Sequence, residues 1–118
     1  MLQWLDMGEL REPPVRNVER RDGAAVIVLG GELDLYNADD IRSALAGVID
    51  DAPRCVVVDM ADVEFIDSTA LGVLIEARSR LGENRLRLAA PQLGTKRTLE
   101  VTGLDRQLPV YDSVDAAL

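Results

Sequence analysis

Three residues that commonly begin helices stand in a row in the middle of the chain: Asp67, Ser68 and Thr69. They precede an apolar periodic stretch that predicts a helix from about Thr69 to Leu81. Because a helix needs one N-cap, the simplest interpretation is that Asp67 or Ser68 caps and the others are incidental. Alternatively, Asp67 or Thr69 shapes the turn and the Ser68 hydroxyl faces solvent. A phosphate on that hydroxyl would meet free backbone N–H groups and the positive helix end.

Other residue types offer little catalytic chemistry. The chain has no histidine, which excludes Ser-His-Asp and Cys-His arrangements and histidine metal ligands. Its one cysteine, Cys55, lies in an apolar run and is predicted to be a buried thiol. A phosphatase-like or nucleotide-hydrolysing domain with Asp67 or Ser68 as nucleophile would need another activating group. The single lysine, Lys96, lies in a different predicted element, so we expect no catalytic residues.

Several acidic side chains lie near the predicted strand ends. If they converged they could hold Mg²⁺, but a solvated acidic rim is the simpler interpretation. Gly30-Gly31 lacks the spacing of a dinucleotide fingerprint or a P-loop, and it predicts a turn. We therefore predict no metal site and no cofactor. The acidic residues considered are Glu32, Asp34, Asp59, Asp62, Glu64 and Asp67.

Composition bounds the protein to one globular domain with an acidic surface. The chain has 118 residues, of which 47% are hydrophobic, and a formal net charge of -8. That charge argues against direct binding to nucleic acid or to an anionic membrane. Residues 1–14, which end in Pro13-Pro14, are predicted to be a loose extension without a signal peptide. The lone cysteine and the short apolar runs favour a cytoplasmic protein, and the oligomeric state has no signal in the sequence.

Strands alternate with helices from residue 15 onward, which predicts an α/β fold. We expect one domain over residues 15–118, with a mixed, mostly parallel sheet of four to five strands and about four helices. Asp22-Gly23 predicts a hairpin turn between the first two strands. Residues 60–67 are predicted to be a loop, Asn37 to cap the first helix, and Glu76 to pair with Arg80 across one helical turn. The predicted strands are Val15–Arg21, Ala24–Leu29, Cys55–Val58, Leu86–Ala89 and Pro109–Tyr111.

The predicted helices show matching apolar faces. The first carries apolar residues at helical spacing from Ile41 to Ile49 and is broken by Ala52-Pro53. The second ends at Gly82, and the third at Gly103. The helices after the first are expected at about Thr69–Leu81, Thr95–Thr102 and Ser113–Leu118.

Four pieces of this sequence, in order and at similar spacing, resemble STAS-domain anti-sigma-factor antagonists. The piece that includes Asp67, Ser68 and Thr69 resembles the phosphorylation loop of that family. The resemblance runs from about Val15 to Leu118 and implies a STAS-like domain. Ala70 departs from the family, which often has glycine there. The four pieces are Gly31–Asp34, Val56–Asp59, Phe65–Gly72 and Thr102–Asp105.

The resemblance implies a function and a set of site residues. Ser68 would be the phosphoacceptor, with Thr69 as its rival, and Asp34, Asp67, Ser68 and Thr69 would form the partner-binding surface. The unphosphorylated protein would capture an anti-sigma factor that is also a serine kinase, and a serine phosphatase would restore it after phosphorylation. The main alternative is a STAS adaptor subunit of a transporter or sensory complex that lacks a phosphoswitch.

Overall fold

The computed structural model describes residues 11–118, in which five strands form one sheet in chain order. The first two strands are antiparallel and every later pair is parallel. The α/β fold with a mixed, mostly parallel sheet is thus confirmed. The strands are β1 (Val15–Arg21), β2 (Ala24–Leu33), β3 (Val56–Ile66), β4 (Leu86–Ala89) and β5 (Val110–Tyr111). The helices are α1 (Ala38–Asp50), α2 (Ser68–Leu81), α3 (Leu93–Thr102) and α4 (Val114–Ala117), with a 3₁₀ turn at Leu104–Arg106.

The hairpin between β1 and β2 forms where the sequence predicts it. Asp22 and Gly23 both have positive φ, 53° and 81°. Two such residues in succession match the right-handed twist of the flanking strands. The turn therefore sets the register in which Arg21 pairs with Ala24.

β2 and β3 are longer than the sequence predicts. β2 continues through Gly30-Gly31 to Leu33, and the predicted loop over residues 60–67 is mostly strand. Their pairing shifts register between Val28 and Gly30 and again between Gly31 and Glu32. Because such bulges interrupt the two-residue alternation of buried side chains, this part of the sequence resembles a loop. At the second bulge, Gly31 takes a φ of +77°, which glycine adopts without strain.

Helices cover the two faces of the sheet unequally. On one face α1, α2 and α3 bury a large core that includes Ile27, Val58 and Leu74. On the other face the short α4 covers a smaller cluster, which contains Cys55 at 0% exposure, as predicted for a buried thiol. The larger core holds α1 and α2 against the sheet, and their first residues lie at the carboxyl ends of β2 and β3.

Ion pairs join α1 to α2, and they replace the pair predicted within α2. Glu76 does not pair with Arg80: it accepts a hydrogen bond from Arg42 Nε at 2.9 Å, and Arg80 contacts Asp50 at 3.2 Å. The Glu76 hydrogen bond and charge raise the pKa of Arg42 above its ordinary value. Intrahelical spacing allowed the predicted pair, but the packed neighbour helix supplies closer partners.

Candidate functional site

The residues singled out in the sequence meet at the carboxyl-terminal edge of β2 and β3. These strands run in parallel, so their ends lie side by side, with Leu33 opposite Ile66. The Asp67 N–H donates to the Leu33 carbonyl at 2.9 Å. The loop over residues 34–37 that leads into α1 is thus held beside the start of α2.

Asp67 is the N-cap of α2. Its Oδ1 accepts a hydrogen bond from the Ala70 N–H at 3.0 Å, and its Oδ2 accepts one from the Leu35 N–H at 3.1 Å. One carboxylate therefore caps the helix and anchors the neighbouring loop. Of the two capping candidates, the structure selects Asp67 and leaves Ser68 as the first helical residue.

The Ser68 side chain is exposed and forms no hydrogen bond with any of residues 11–118. Thr69 next to it is half-buried. The first turn of α2 contains no acidic residue, so no helical side chain there neutralises the positive end of the dipole. The hydroxyl is accessible to another protein, as a phosphoacceptor requires; the identity of the acceptor stays a prediction.

Asn37 occupies the N-cap position of α1, as predicted, but its side chain makes no cap bond and instead braces the loop that precedes the helix. Its Oδ1 accepts from the Asp34 N–H at 2.9 Å, and its Nδ2 donates to the Glu32 carbonyl at 2.8 Å. The Asp34 Oδ1 in turn accepts from the Tyr36 N–H at 3.0 Å. The loop is short, and the Asp34 and Asn37 side chains that bond to its backbone fix its shape.

Arg11 also contacts this loop, from the segment ahead of β1. Its Nη1 lies 3.1 Å from Asp34 Oδ2, and its Nη2 donates to the Glu32 carbonyl at 2.7 Å. The predicted extension, residues 1–14, mostly lies outside the described residues. The described end of this extension packs against β2: Pro14 is buried, and its carbonyl accepts a hydrogen bond from the Gly30 N–H. Sequence reasoning missed Arg11, because nothing local relates it to a loop more than twenty residues away.

Three large apolar side chains at this edge are exposed to solvent. Leu35 is 68% exposed, Tyr36 78% and Phe65 53%. Leu35 and Tyr36 belong to the loop over residues 34–37, which we call the Asp34 loop, and Phe65 comes three residues before Ser68. We call Leu35, Tyr36, Phe65 and Ser68 the docking surface, since exposed apolar side chains grouped beside polar ones are typical of protein contact sites. Sequence patterns could not find it, because they do not separate exposed from buried apolar residues at strand ends.

Within residues 11–118 no group of three or more histidine, cysteine or acidic residues is placed to hold a metal ion. Three of the acidic residues considered above accept hydrogen bonds from backbone N–H groups: Asp34 from Tyr36, Asp59 from Ala61, and Asp67 from Leu35 and Ala70. In the same part of the chain, no helix combines the length and apolar character that crossing a membrane requires.

Comparison of the sequence with known proteins finds the STAS domain family, which matches residues 16–117. The anti-sigma-F factor antagonist RsfB of Mycobacterium tuberculosis is 30% identical over 102 residues, covering 86% of this chain and 84% of that protein. The anti-sigma-B factor antagonist of Staphylococcus aureus is 28% identical over 93 residues, covering 75% of this chain and 84% of that protein.

Comparison with solved structures finds the same fold. The crystal structure of an anti-sigma factor antagonist from Mycobacterium paratuberculosis superimposes with a TM-score of 0.79 at 33% sequence identity. The alignment covers 86% of this chain and 87% of that one. Its strands and helices therefore correspond to those of this chain over nearly the whole domain.

Proposed function

The chain belongs to the STAS domain family, and on that premise we propose that it is an anti-sigma-factor antagonist controlled by phosphorylation of Ser68. The unphosphorylated protein binds an anti-sigma factor, and the phosphorylated protein is released. The two similar proteins described above, an anti-sigma-F and an anti-sigma-B factor antagonist, support the binding role. They do not favour the alternative of an adaptor subunit in a transporter or sensory complex.

The Ser68 hydroxyl, which is exposed and makes no hydrogen bond within residues 11–118, is the main support for a phosphorylation switch. Asp67 caps α2, so modification of Ser68 breaks no bond that the fold needs. A phosphate there would also lie at the positive end of a fourteen-residue helix, next to backbone N–H groups. Phosphorylation thus changes the surface while the fold stays intact, as a reversible switch requires.

The docking surface would supply the binding energy. Aromatic and large aliphatic residues in the centre of an interface contribute most of its affinity, and Tyr36, Leu35 and Phe65 are exposed on the two chain segments that meet at the start of α2. Asp34 and Asp67 contribute by holding the loop, through their bonds to the Tyr36 and Leu35 N–H groups. Thr69, half-buried next to Ser68, would be contacted at the rim.

The effect of a phosphate can be estimated from its charge. A phosphoserine carries roughly -1.5 to -2 charges at neutral pH. Facing a partner carboxylate at about 6 Å, with an effective dielectric of about 20, this charge costs several kcal/mol. Since about 1.4 kcal/mol changes affinity tenfold, even a screened fraction would release a partner. Exclusion of the bulky phosphate from a packed interface acts in the same direction.

The proposed partners follow from this cycle. The anti-sigma factor would itself be the serine kinase that modifies Ser68, and a serine phosphatase would reverse the reaction, both in the cytoplasm. The chain would be a regulated binding protein without catalytic activity. Histidine is absent from the sequence, and within residues 11–118 no basic group is hydrogen-bonded to the Ser68 hydroxyl to activate it.

Binding of Ser68 variants to anti-sigma factors tests the proposal. The recombinant anti-sigma factors of the source organism are titrated one at a time by calorimetry against the wild type, Ser68→Ala and Ser68→Asp. Ser43→Asp is the matched control, because Ser43 is also an exposed helical serine. For at least one factor, we expect Ser68→Ala to bind like the wild type, Ser43→Asp within about threefold, and Ser68→Asp about 100-fold more weakly. Equal affinity of Ser68→Ala and Ser68→Asp for every factor would refute the switch.

A kinase reaction identifies the acceptor. The factor that binds is incubated with ATP, Mg²⁺ and the wild type, Ser68→Ala or Thr69→Ala, and phosphate is located by mass spectrometry. We expect incorporation into the wild type and Thr69→Ala only. Incorporation into Ser68→Ala at the wild-type rate would assign the switch to Thr69 or another hydroxyl.

A further inference from the structure

We infer that Arg11 is a positioning residue for the docking surface, and that its place just ahead of β1 is therefore part of the functional site. This inference deepens the proposed function and rests on it for its biological meaning. Arg11 lies outside the range matched by the STAS domain family, residues 16–117. The role is therefore assigned from the contacts of this chain alone.

Arg11 binds two acceptors at the start of the loop over residues 34–37: the Glu32 carbonyl and the Asp34 carboxylate. Its Nη2 shares the Glu32 carbonyl with the Asn37 side chain, at 2.7 Å and 2.8 Å respectively. Its Nη1 contacts both oxygens of Asp34, at 3.3 Å and 3.1 Å, and the nearer of these distances is to Oδ2. Asp34 Oδ1 also accepts the Tyr36 N–H. A single guanidinium thus ties the end of β2 to Asp34, the first residue of the short loop that carries Leu35 and Tyr36.

The environment makes this contact stronger than an ordinary surface ion pair. The side chains of Arg11 and Asp34 are 27% and 19% exposed, whereas those of Arg20 and Asp51 in another pair are 46% and 63% exposed. Ion pairs that are less hydrated are less screened, and a forked guanidinium fixes geometry as well as charge. Arg20 is therefore a matched control: it is an arginine paired with an aspartate, but its partner lies beyond the end of α1, away from the site.

Removal of Arg11 would leave the fold intact and loosen the loop. Asn37 and Asp67 would still hold the loop through the Asp34 and Leu35 N–H groups. Asp34 would lose its cation, and its side chain would turn toward water, which releases the Tyr36 N–H. Leu35 and Tyr36, the most exposed apolar residues of the docking surface, would then sample several orientations before the partner binds, which weakens affinity.

Hydrogen exchange measured on the free protein tests the positioning role without any partner. Arg11→Ala, Arg11→Lys and Arg20→Ala are compared with the wild type by amide exchange of Leu35 and Tyr36, and by the rate of chymotrypsin cleavage after Tyr36. We expect both rates to rise about fivefold or more in Arg11→Ala and to stay within twofold of wild type in Arg20→Ala. Arg11→Lys should fall between them, because an ammonium carries the charge but not the fork.

The thermal unfolding midpoints of Arg11→Ala and Arg20→Ala should be similar, which separates a local effect from general destabilisation. Equal exchange at Leu35 and Tyr36 in these two variants would overturn the inference.

A binding titration with the anti-sigma factor that binds the wild type should show about five- to tenfold weaker affinity for Arg11→Ala only. If the Ser68 variants bind alike while Arg11→Ala still loosens the loop, the proposed function fails and the positioning role stands. If exchange is unchanged while the Ser68 variants differ, only the positioning role fails.

Discussion

Two helices begin side by side at the functional edge, and their first turns are built differently. α2 begins with Asp67, whose carboxylate caps the helix, and no acidic residue follows in its first turn. α1 begins with Asn37, whose side chain bonds to the preceding loop, and Asp39 and Asp40 follow in its first turn. The positive end of α1 is therefore already balanced by fixed charge, whereas that of α2 can still receive a negative group.

This difference places the proposed switch at α2. A phosphate added at the start of α1 would be repelled by the two carboxylates of its first turn, whereas the first turn of α2 contains no acidic residue that would repel one on Ser68. Asn37 is 9% exposed, and both its amide oxygen and its amide nitrogen form hydrogen bonds to the backbone, so the start of α1 supports the loop. In the proposed switch, the start of α1 would hold the docking surface in shape, and the start of α2 would carry the phosphate that changes it.

The largest expected effect in this comparison is the loss of the α2 cap. Asp67→Ala removes the acceptor for the Ala70 and Leu35 N–H groups. We expect the free energy of unfolding, measured by urea denaturation, to fall by about 2 kcal/mol. Hydrogen exchange of Ala70 and Leu35 should accelerate with it.

Asp67→Asn is the control for that variant, since asparagine is an equally good cap. Its side chain keeps one acceptor oxygen, so about half of the loss should be recovered. An Asp67→Ala protein within about 0.5 kcal/mol of the wild type would contradict the double role of this carboxylate.

A smaller effect is expected when the loop brace at α1 is changed. Serine caps helices as well as asparagine does. Asn37→Ser would therefore be neutral if the Asn37 side chain served only to cap α1. Serine is too short to bond both the Asp34 N–H and the Glu32 carbonyl, so we expect a loss of about 1–2 kcal/mol in the free energy of unfolding. An unchanged denaturation midpoint would show that α1 and α2 start in the same way.

The smallest effect concerns charge at the open helix start. Ser68→Asp places a carboxylate in the first turn of α2, which should raise the free energy of unfolding by about 0.3–1 kcal/mol at low salt. The same change at Ser43, within α1, should not be stabilising. The difference should shrink when denaturation is repeated in about 1 M NaCl, because the Debye length falls to about 3 Å. Destabilisation by Ser68→Asp at low salt would argue against an open, unbalanced helix end.

Much of the fold could be predicted from local patterns. The Asp22-Gly23 turn, the apolar run that begins at Ala24 and the helix that ends at Gly82 depend on neighbours in the chain, and the structure confirms each. The strand lengths could not be predicted in the same way. The ends of β2 and β3 form only by pairing with each other through bulges, and that pairing removes the alternation by which a strand is recognised.

For the site, the sequence by itself determined that polar capping residues begin α2 and that one of them supplies the cap. Only the tertiary structure decided that Asp67 caps, that Ser68 is exposed, that Asn37 braces a loop and that Arg11 reaches Asp34. The physical reason is the range of the interactions. Turn and helix preferences act over a few residues, whereas the bond of Asp67 to Leu35 and that of Arg11 to Asp34 join residues 32 and 23 positions apart, which only the folded sheet brings together.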